Sequence, residues 1–283
     1  MIIDFHTHVF PEKIEEAAIA SLSGRAHMAP HIRATADALV ASQEAAGIGL
    51  SVVLPVATAA RQVEKLNDAA ARLNEAYAGR LLSLGAIHPD YENCREELAR
   101  IKALGLPGIK LHPVYQGADI DDIRFLRILA RAAELDLLVI THAGDDIGYP
   151  GVVHCSPAMI RHALTEVGPM RFVAAHMGGW RNWDVVPELL ADTGCFLDTA
   201  FSQGSFSPLP DGYWDDKSTA MLSAEGMTAL IKAFGADRVL FGTDSPWSSQ
   251  AEERTAIQRL PLTEEEKEAV LGGNAAKLLG LPV

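Results

Sequence analysis

Ten histidines occur in this 283-residue sequence, and six of them close short apolar runs: His6, His8, His88, His112, His142 and His176. Asp244 stands in the same position after the last such run, in Phe-Gly-Thr-Asp-Ser-Pro-Trp. Imidazole nitrogens and a carboxylate are ligands for a divalent transition metal such as zinc, iron, cobalt or nickel. His6 and His8 form the sharpest pair, because residues two apart on a strand point to the same side and both rings can reach one ion. Each residue alone has a plainer reading. The pair could be ordinary hydrogen-bonding histidines, His142 a core histidine bonded to backbone, and Asp244 a helix N-cap or turn residue. Their coincidence at the ends of successive runs favours a common chemical purpose. Lys110 precedes His112 in Gly-Ile-Lys-Leu-His-Pro. It reads as a point charge for a substrate carboxylate, a metal-bridging ligand if carbamylated, or a structural lysine whose stem snorkels to water.

The elements that must carry these residues are eight runs of strand length: Ile2–Phe5, Ser51–Leu54, Leu81–Ile87, Gly108–Leu111, Leu137–Thr141, Arg171–Ala175, Cys195–Asp198 and Val239–Gly242. Near-continuous apolar character suits parallel strands covered on both faces. Between them lie stretches of helical spacing. Val63, Leu66, Ala70, Leu73 and Tyr77 alternate by three and four before Gly79, and Phe125, Leu129, Ala130 and Ala133 follow the acidic start Asp121–Asp122. Ser156-Pro157 reads as an N-cap followed by a first-turn proline. Two helices are expected between the first two runs, near Glu12–Leu22 and Thr35–Ala46, and two more over Thr263–Leu271 and Asn274–Leu279. Eight strands alternating with helices predict an α/β protein of the (β/α)8 TIM-barrel class, one domain over residues 1–283, whose strand ends gather at one face. The alternative, a doubly wound sheet, would show a glycine-rich phosphate loop after its first strand, where this sequence has His-Thr-His. The long Phe201–Lys217 stretch, rich in Ser, Pro, Gly and aromatics, is expected to act as a lid or binding loop.

Composition narrows the function. Hydrophobic residues make up 48% and charged residues 22%, an ordinary globular balance, while the net charge of −13 disfavours nucleic acid and anionic membrane surfaces as partners. Three widely spaced cysteines form no disulfide framework, and no apolar run approaches a membrane span. The first residues lack a basic n-region and already carry Asp4, His6 and His8, so they do not read as a signal peptide, and a cytoplasmic location is expected.

With these motifs in order, the sequence resembles the amidohydrolase superfamily, in the branch that includes aminocarboxymuconate-semialdehyde decarboxylase. The resemblance runs nearly end to end: Asp4-Phe5-His6-Thr7-His8, Gly108-Ile109-Lys110-Leu111-His112-Pro113, Thr141-His142-Ala143-Gly144, Ala175-His176-Met177-Gly178-Gly179, Phe241 to Trp247, and Gly273-Asn274-Ala275-Ala276-Lys277-Leu278-Leu279. It implies that His6, His8 and His142 bind one divalent ion, usually zinc, with Asp244 as a further ligand and His176 as a proton-moving or substrate-polarising histidine. Some superfamily members carry a carbamylated lysine at the place of Lys110 and hold two metals, whereas this branch usually works with one.

Hydrolysis of a small carboxylated or cyclic molecule is the first expectation. A water made acidic by the ion would attack, Asp244 would take its proton, and His176 would steady the developing charge. Decarboxylation or hydration of an unsaturated acid is the second, and a non-catalytic metal-binding barrel a remote third. Lys110, inside the fourth run, and His112 on the same face are expected to contact substrate together with Tyr115, Trp180, Arg181 and Trp247, which follow strand ends and are joined at the pocket wall by Gln116 and Asp145. Arg181 is suited to a carboxylate, or else is a solvated surface arginine. The expected partner is a small molecule, and assembly into a homo-oligomer is left open.

Overall fold

The computed structural model describes residues 1–282. Its strands are β1 (Ile3–Thr7), β2 (Leu50–Val53), β3 (Leu81–Ser83), β4 (Gly85–Ala86), β5 (Gly108–Leu111), β6 (Leu138–Thr141), β7 (Phe172–Ala174), β8 (Phe196–Asp198) and β9 (Val239–Leu240). They fall on the eight predicted runs, with the third run divided at Leu84. The described residues group into two compact units. One contains Met1–Val53, Ile147–Pro150 and Asp198–Val283, and the other Leu54–Asp146 and Gly151–Leu197.

In the first unit β1 and β2 run parallel, with Ile3 opposite Leu50 and Asp4 opposite Ser51, and the register slips before Thr7 meets Val53. On its other side β1 meets the chain around β9: the Phe5 amide donates to the Phe241 carbonyl at 2.7 Å, the Asp244 amide to His6 at 2.8 Å, and the His8 amide to Ser245 at 2.7 Å. The end of β8 continues this arrangement, since the Thr199 amide donates to Leu240 at 2.9 Å. Ile3, Phe5, Val52, Leu240 and Phe241 fill the unit's core.

The second unit is a run of parallel strands, β4 to β8. Lys110 of β5 lies opposite Ala86 on one side and Ile140 on the other, and Val173 of β7 lies opposite Phe196. The third run divides because side chains satisfy its backbone. Asn74 caps both the Ser83 amide (2.6 Å) and carbonyl (3.1 Å), and Asn67 does the same for Ala86 at 2.7 and 3.1 Å. Both asparagines project from the helix Val63–Ala76, which is the helix that the three-four spacing predicts.

The predicted caps are present. The Ser156 hydroxyl accepts from the Met159 amide ahead of the helix Pro157–Val167, Asp122 accepts from Arg124 at the start of Ile123–Glu134, and Thr35 caps Ala36–Ala45. A capped helix, Ser249 then Gln250–Arg259, follows Asp244 where the sequence reading placed none. At the C-terminal end a single helix over Thr263–Leu271 is corrected to Glu264–Glu268 followed by a π-helical turn, Ala269–Gly273. The Phe201–Lys217 loop is pinned to the chain after the helix Glu12–Ala26. Trp214 Nε1 donates to Ala26 at 2.8 Å, the Leu209 amide donates to His27 at 2.9 Å, and Tyr213 stacks on the His27 ring with centroids 3.8 Å apart. Among the described residues no helix is long and apolar enough to cross a membrane.

Candidate metal centre

In the first unit, the backbone bonds between β1 and the chain after β9 place Asp244 against both histidines of His6-Thr7-His8. The Asp244 Oδ1 atom lies 3.1 Å from His8 Nε2 and 3.5 Å from His6 Nε2, and the three ligand atoms all fall within 4.8 Å of one another. Atoms bound about 2.0–2.1 Å from a tetrahedral ion stand roughly 3.3–3.4 Å apart, so the two histidine–aspartate separations bracket that spacing. The rings of His6 and His8 are inclined at 70° with centroids 5.1 Å apart, which lets lone pairs from different directions converge. The donor set fits a divalent cation.

Two local features build this arrangement. Asp244 adopts a left-handed backbone with φ 62°, which aspartate tolerates better than most residues. Gly242 lets β1 approach, because a Cβ there would stand 2.9 Å from the Cβ of His6. The helix after Asp244 is capped by Ser249, so Asp244 is no N-cap; its own carbonyl accepts from the amide of half-buried Trp247 at 2.9 Å.

Asp198, at the end of β8, is fully buried, and its Oδ2 lies 2.8 Å from His6 Nδ1. A proton on Nδ1 shared with that carboxylate leaves Nε2 as the lone-pair nitrogen, and it orients the ring toward Asp244. Asp4 is also fully buried. It accepts from the His6 amide, the Thr243 amide and hydroxyl, and Gln250 Nε2. Burial pushes the Asp4 carboxyl up to about 6 against the opposing pull of these donors.

The second unit gathers most of the other predicted residues at its strand ends. His112, His142 and Asp146 are buried with ligand atoms within 4.8 Å of one another; Asp146 Oδ2 lies 3.5 Å from His112 Nε2 and 4.0 Å from His142 Nε2. The His112 and His142 rings, however, are stacked 4.3 Å apart and inclined by only 14°. Nearly parallel imidazoles at that spacing cannot both aim in-plane lone pairs at one ion, so the stack reads as a packed column that Tyr115 extends at 3.8 Å. His176 meets the edge of His142 at 4.8 Å. Burial, reinforced by neighbouring His112, His176 and Lys110, holds the His142 imidazole well below its ordinary value and therefore neutral. Neutral imidazole is the form that can bind a metal.

Lys110 is 1% exposed, deep in β5. Trp180 is buried and Arg181 exposed, its guanidinium lying over the Trp180 ring at 4.4 Å. Gly144 permits the close pairing with Trp180, since a Cβ there would meet the Trp180 amide nitrogen at 2.1 Å. Two wall residues turn inward. Gln116 spends its amide on the Ala57 and Ile87 carbonyls and the His112 amide, while the Asp145 carboxylate accepts from Asn182. The glycines after His176 are packed by the unit's own Val186, Leu197 and Pro157, not left open for substrate. Asp198 and Asp146 were missed by the sequence reading, and the only signal for them was an acid at or just beyond a strand end.

Solved structures similar to this chain cover nearly all of it. One is 5-carboxyvanillate decarboxylase from Sphingomonas paucimobilis, with 14% identity, 99% of each chain covered and a TM-score of 0.72. Another is an uncharacterised TIM-barrel protein from Bordetella bronchiseptica, with 21% identity, 99% and 98% coverage and a TM-score of 0.74. A third is dihydroxybenzoic acid decarboxylase from a Polaromonas species, solved with manganese and the inhibitor 2-nitroresorcinol, with 14% identity, 99% and 96% coverage and a TM-score of 0.67. At these identities the likeness shows the fold, parallel α/β of the TIM-barrel class. The family model for amidohydrolases matches residues 3–281, and the chain belongs to that family.

Proposed function

We propose that this chain is a metal-dependent carboxy-lyase that decarboxylates a small unsaturated or aromatic carboxylic acid. The observation carrying this reading is the His6, His8 and Asp244 donor set in a chain whose similar solved structures include decarboxylases of hydroxylated aromatic acids. The sequence alone ranks hydrolysis first and decarboxylation second; these neighbours reverse that order.

His6, His8 and Asp244 would hold the ion, and the family resemblance adds His142. Zinc is the resemblance's metal, whereas manganese is the metal named with two of the similar decarboxylases. When bound, a divalent ion supplies a Lewis acid that withdraws charge from the substrate. Loss of CO2 breaks a carbon–carboxylate bond and leaves an electron pair on the carbon, which must then take a proton. Asp244 is assigned that proton transfer, taking a proton from water and passing it to the carbon, and the resemblance assigns His176 to steady the charge. Asp198 fixes the tautomer of His6 in this scheme. Lys110 is proposed to attract the acidic substrate, with His112, Tyr115, Trp180, Arg181 and Trp247 as its other contacts.

Purified protein loaded separately with Mn2+ and Zn2+ is to be incubated with a panel of hydroxylated benzoic acids and unsaturated dicarboxylic acids while CO2 is recorded. Metal-dependent CO2 release that Asp244→Asn abolishes is the expected result. Turnover of ester, lactone or amide substrates with no CO2 from any acid would restore the hydrolase reading.

A further inference from the structure

We propose that Asp4 is a positioning residue whose one buried carboxylate fixes the backbone on both sides of the ligand set, at His6 on β1 and at Asp244 after β9. The proposal rests on the metal-centre reading and adds a residue that neither the donor set nor the similar structures assign.

Four donors converge on this carboxylate, two on each oxygen. Oδ1 accepts from the His6 amide at 3.2 Å and the Thr243 amide at 3.0 Å. Oδ2 accepts from the Thr243 hydroxyl at 2.6 Å and Gln250 Nε2 at 2.7 Å. An ionised carboxylate has roughly four lone-pair sites and no hydrogen, so its capacity matches the donors around it. Asparagine would turn an NH2 group toward two of those donors. The anchored groups are the immediate chain neighbours of the ligand residues. Thr243 precedes Asp244, and the Thr243 hydroxyl in turn accepts from the Ser245 amide at 3.1 Å, so the left-handed turn at Asp244 is gripped from both sides. Gln250 extends the tie, since its Nε2 also donates to Ser51 of β2 at 3.2 Å.

A carboxylate with no exposure to water is costly unless its hydrogen bonds are complete. Structural tying of β1 to β2 and β9 already comes from the main-chain ladder described above. What Asp4 adds beyond that ladder is local: the turn that aims Asp244, the amide of His6 and the Gln250 side chain. Its removal should therefore act on the ligand geometry before it acts on the fold.

The test uses the full chain with Co2+ as the probe. Asp4→Asn and Thr243→Val are compared with wild type by visible-absorption titration, and by amide hydrogen exchange on the metal-free proteins. Both variants are expected to weaken Co2+ binding about tenfold or more, the range typical of outer-shell changes, and to alter the Co2+ ligand-field bands. Exchange should quicken at the Thr243, Asp244 and Ser245 amides while β5 to β7 keep their protection. Thr243→Ser, which restores the hydroxyl, should return affinity and bands to the wild-type values. Unchanged affinity, bands and exchange in folded Asp4→Asn, or in Thr243→Val should Asp4→Asn not fold, would overturn the proposal. If wild type and the His6→Ala/His8→Ala variant bind Co2+ equally, the metal-centre reading fails by itself, and the exchange at residues 243–245 still decides whether Asp4 holds the turn.

Discussion

The Nδ1 atom of His6 lies 2.8 Å from the Oδ2 atom of Asp198, with both side chains buried. This contact decides which nitrogen of His6 keeps its lone pair for the ion that His8 and Asp244 would share. Asp198→Asn keeps the shape but reduces the acceptor strength, so divalent-metal affinity should fall by about 10–100-fold with the fold retained. Isothermal titration with Mn2+ and Zn2+ checks this, and unchanged affinity would reduce Asp198 to a core hydrogen-bond partner.

One donor from β1, one just past its end and one from the turn after β9 make up the geometric ligand set. The His6→Ala/His8→Ala double variant should therefore lose its bound ion on purification, while a similar change at exposed His162 should leave metal content unchanged. Elemental analysis of the three proteins makes the comparison. Full occupancy in the double variant would remove the centre from this end of β1.

The contrast between these residues marks what the sequence could and could not disclose. The placement of His6, His8, His142, His176 and Asp244 at or near strand ends was legible because rare, chemically able residues recur there, and strand ends follow from local apolar runs. The helices over Ala36–Ala45 and Pro157–Val167 were legible from Thr35 and Ser156-Pro157, since caps act over one turn. Asp198 and Asp146 were not. Their importance lies in a hydrogen-bond or charge partner set by strand register and loop path, and for His6 and Asp198 that partner is 192 residues away in sequence. The split of the third strand was hidden for the same reason, because Asn67 and Asn74 look like unremarkable polar positions on a helix until their amides meet the Ala86 and Ser83 backbone.

Asp122 gives a prediction about pH. The Arg124 side chain and amide hold its carboxyl down at about 2, below the ordinary 3.8. A depressed carboxyl contributes stability that is present above its unfolded value and lost as pH falls through the folded one, here between about 4 and 2. Asp122→Ala should cost about 1 kcal/mol at neutral pH, in the range of a lost N-cap. The difference in Tm between the two proteins should narrow as pH is lowered from 5 to 3. A gap that stays constant over that interval would assign the loss to helix propensity alone.

The cysteines should divide by burial. Cys155 and Cys195 are buried and Cys94 is partly accessible, and burial pushes the Cys155 thiol up to about 12. At pH 8 the folded protein should therefore react with a thiol reagent at Cys94, with the other two responding only in denaturant, because the thiolate is the reactive form. Peptide mapping of the labelled protein identifies the site, and rapid modification of Cys155 in the native state would contradict the packing around β6.

Lys110 carries the last prediction. It is almost fully buried, stands in register between Ala86 and Ile140, and its charge helps to lower the His142 imidazole and opposes the burial that raises the Cys155 thiol. An ammonium in such a place repels a second cation and attracts an anion, whereas a carbamylated lysine would do the reverse and bridge two metals. Hydrogen bonds to a charged group contribute about 1.5–3 kcal/mol, and each 1.4 kcal/mol is tenfold in affinity. Lys110→Met should therefore raise KM for an acidic substrate by about tenfold or more and leave the number of bound metal ions unchanged. Lys110→Arg should not fully restore KM, because the planar guanidinium does not fit the space of a compact ammonium. Metal content measured with and without bicarbonate separates the two chemistries: a fall from two bound ions to one in Lys110→Met would make Lys110 a bridging ligand and the centre binuclear.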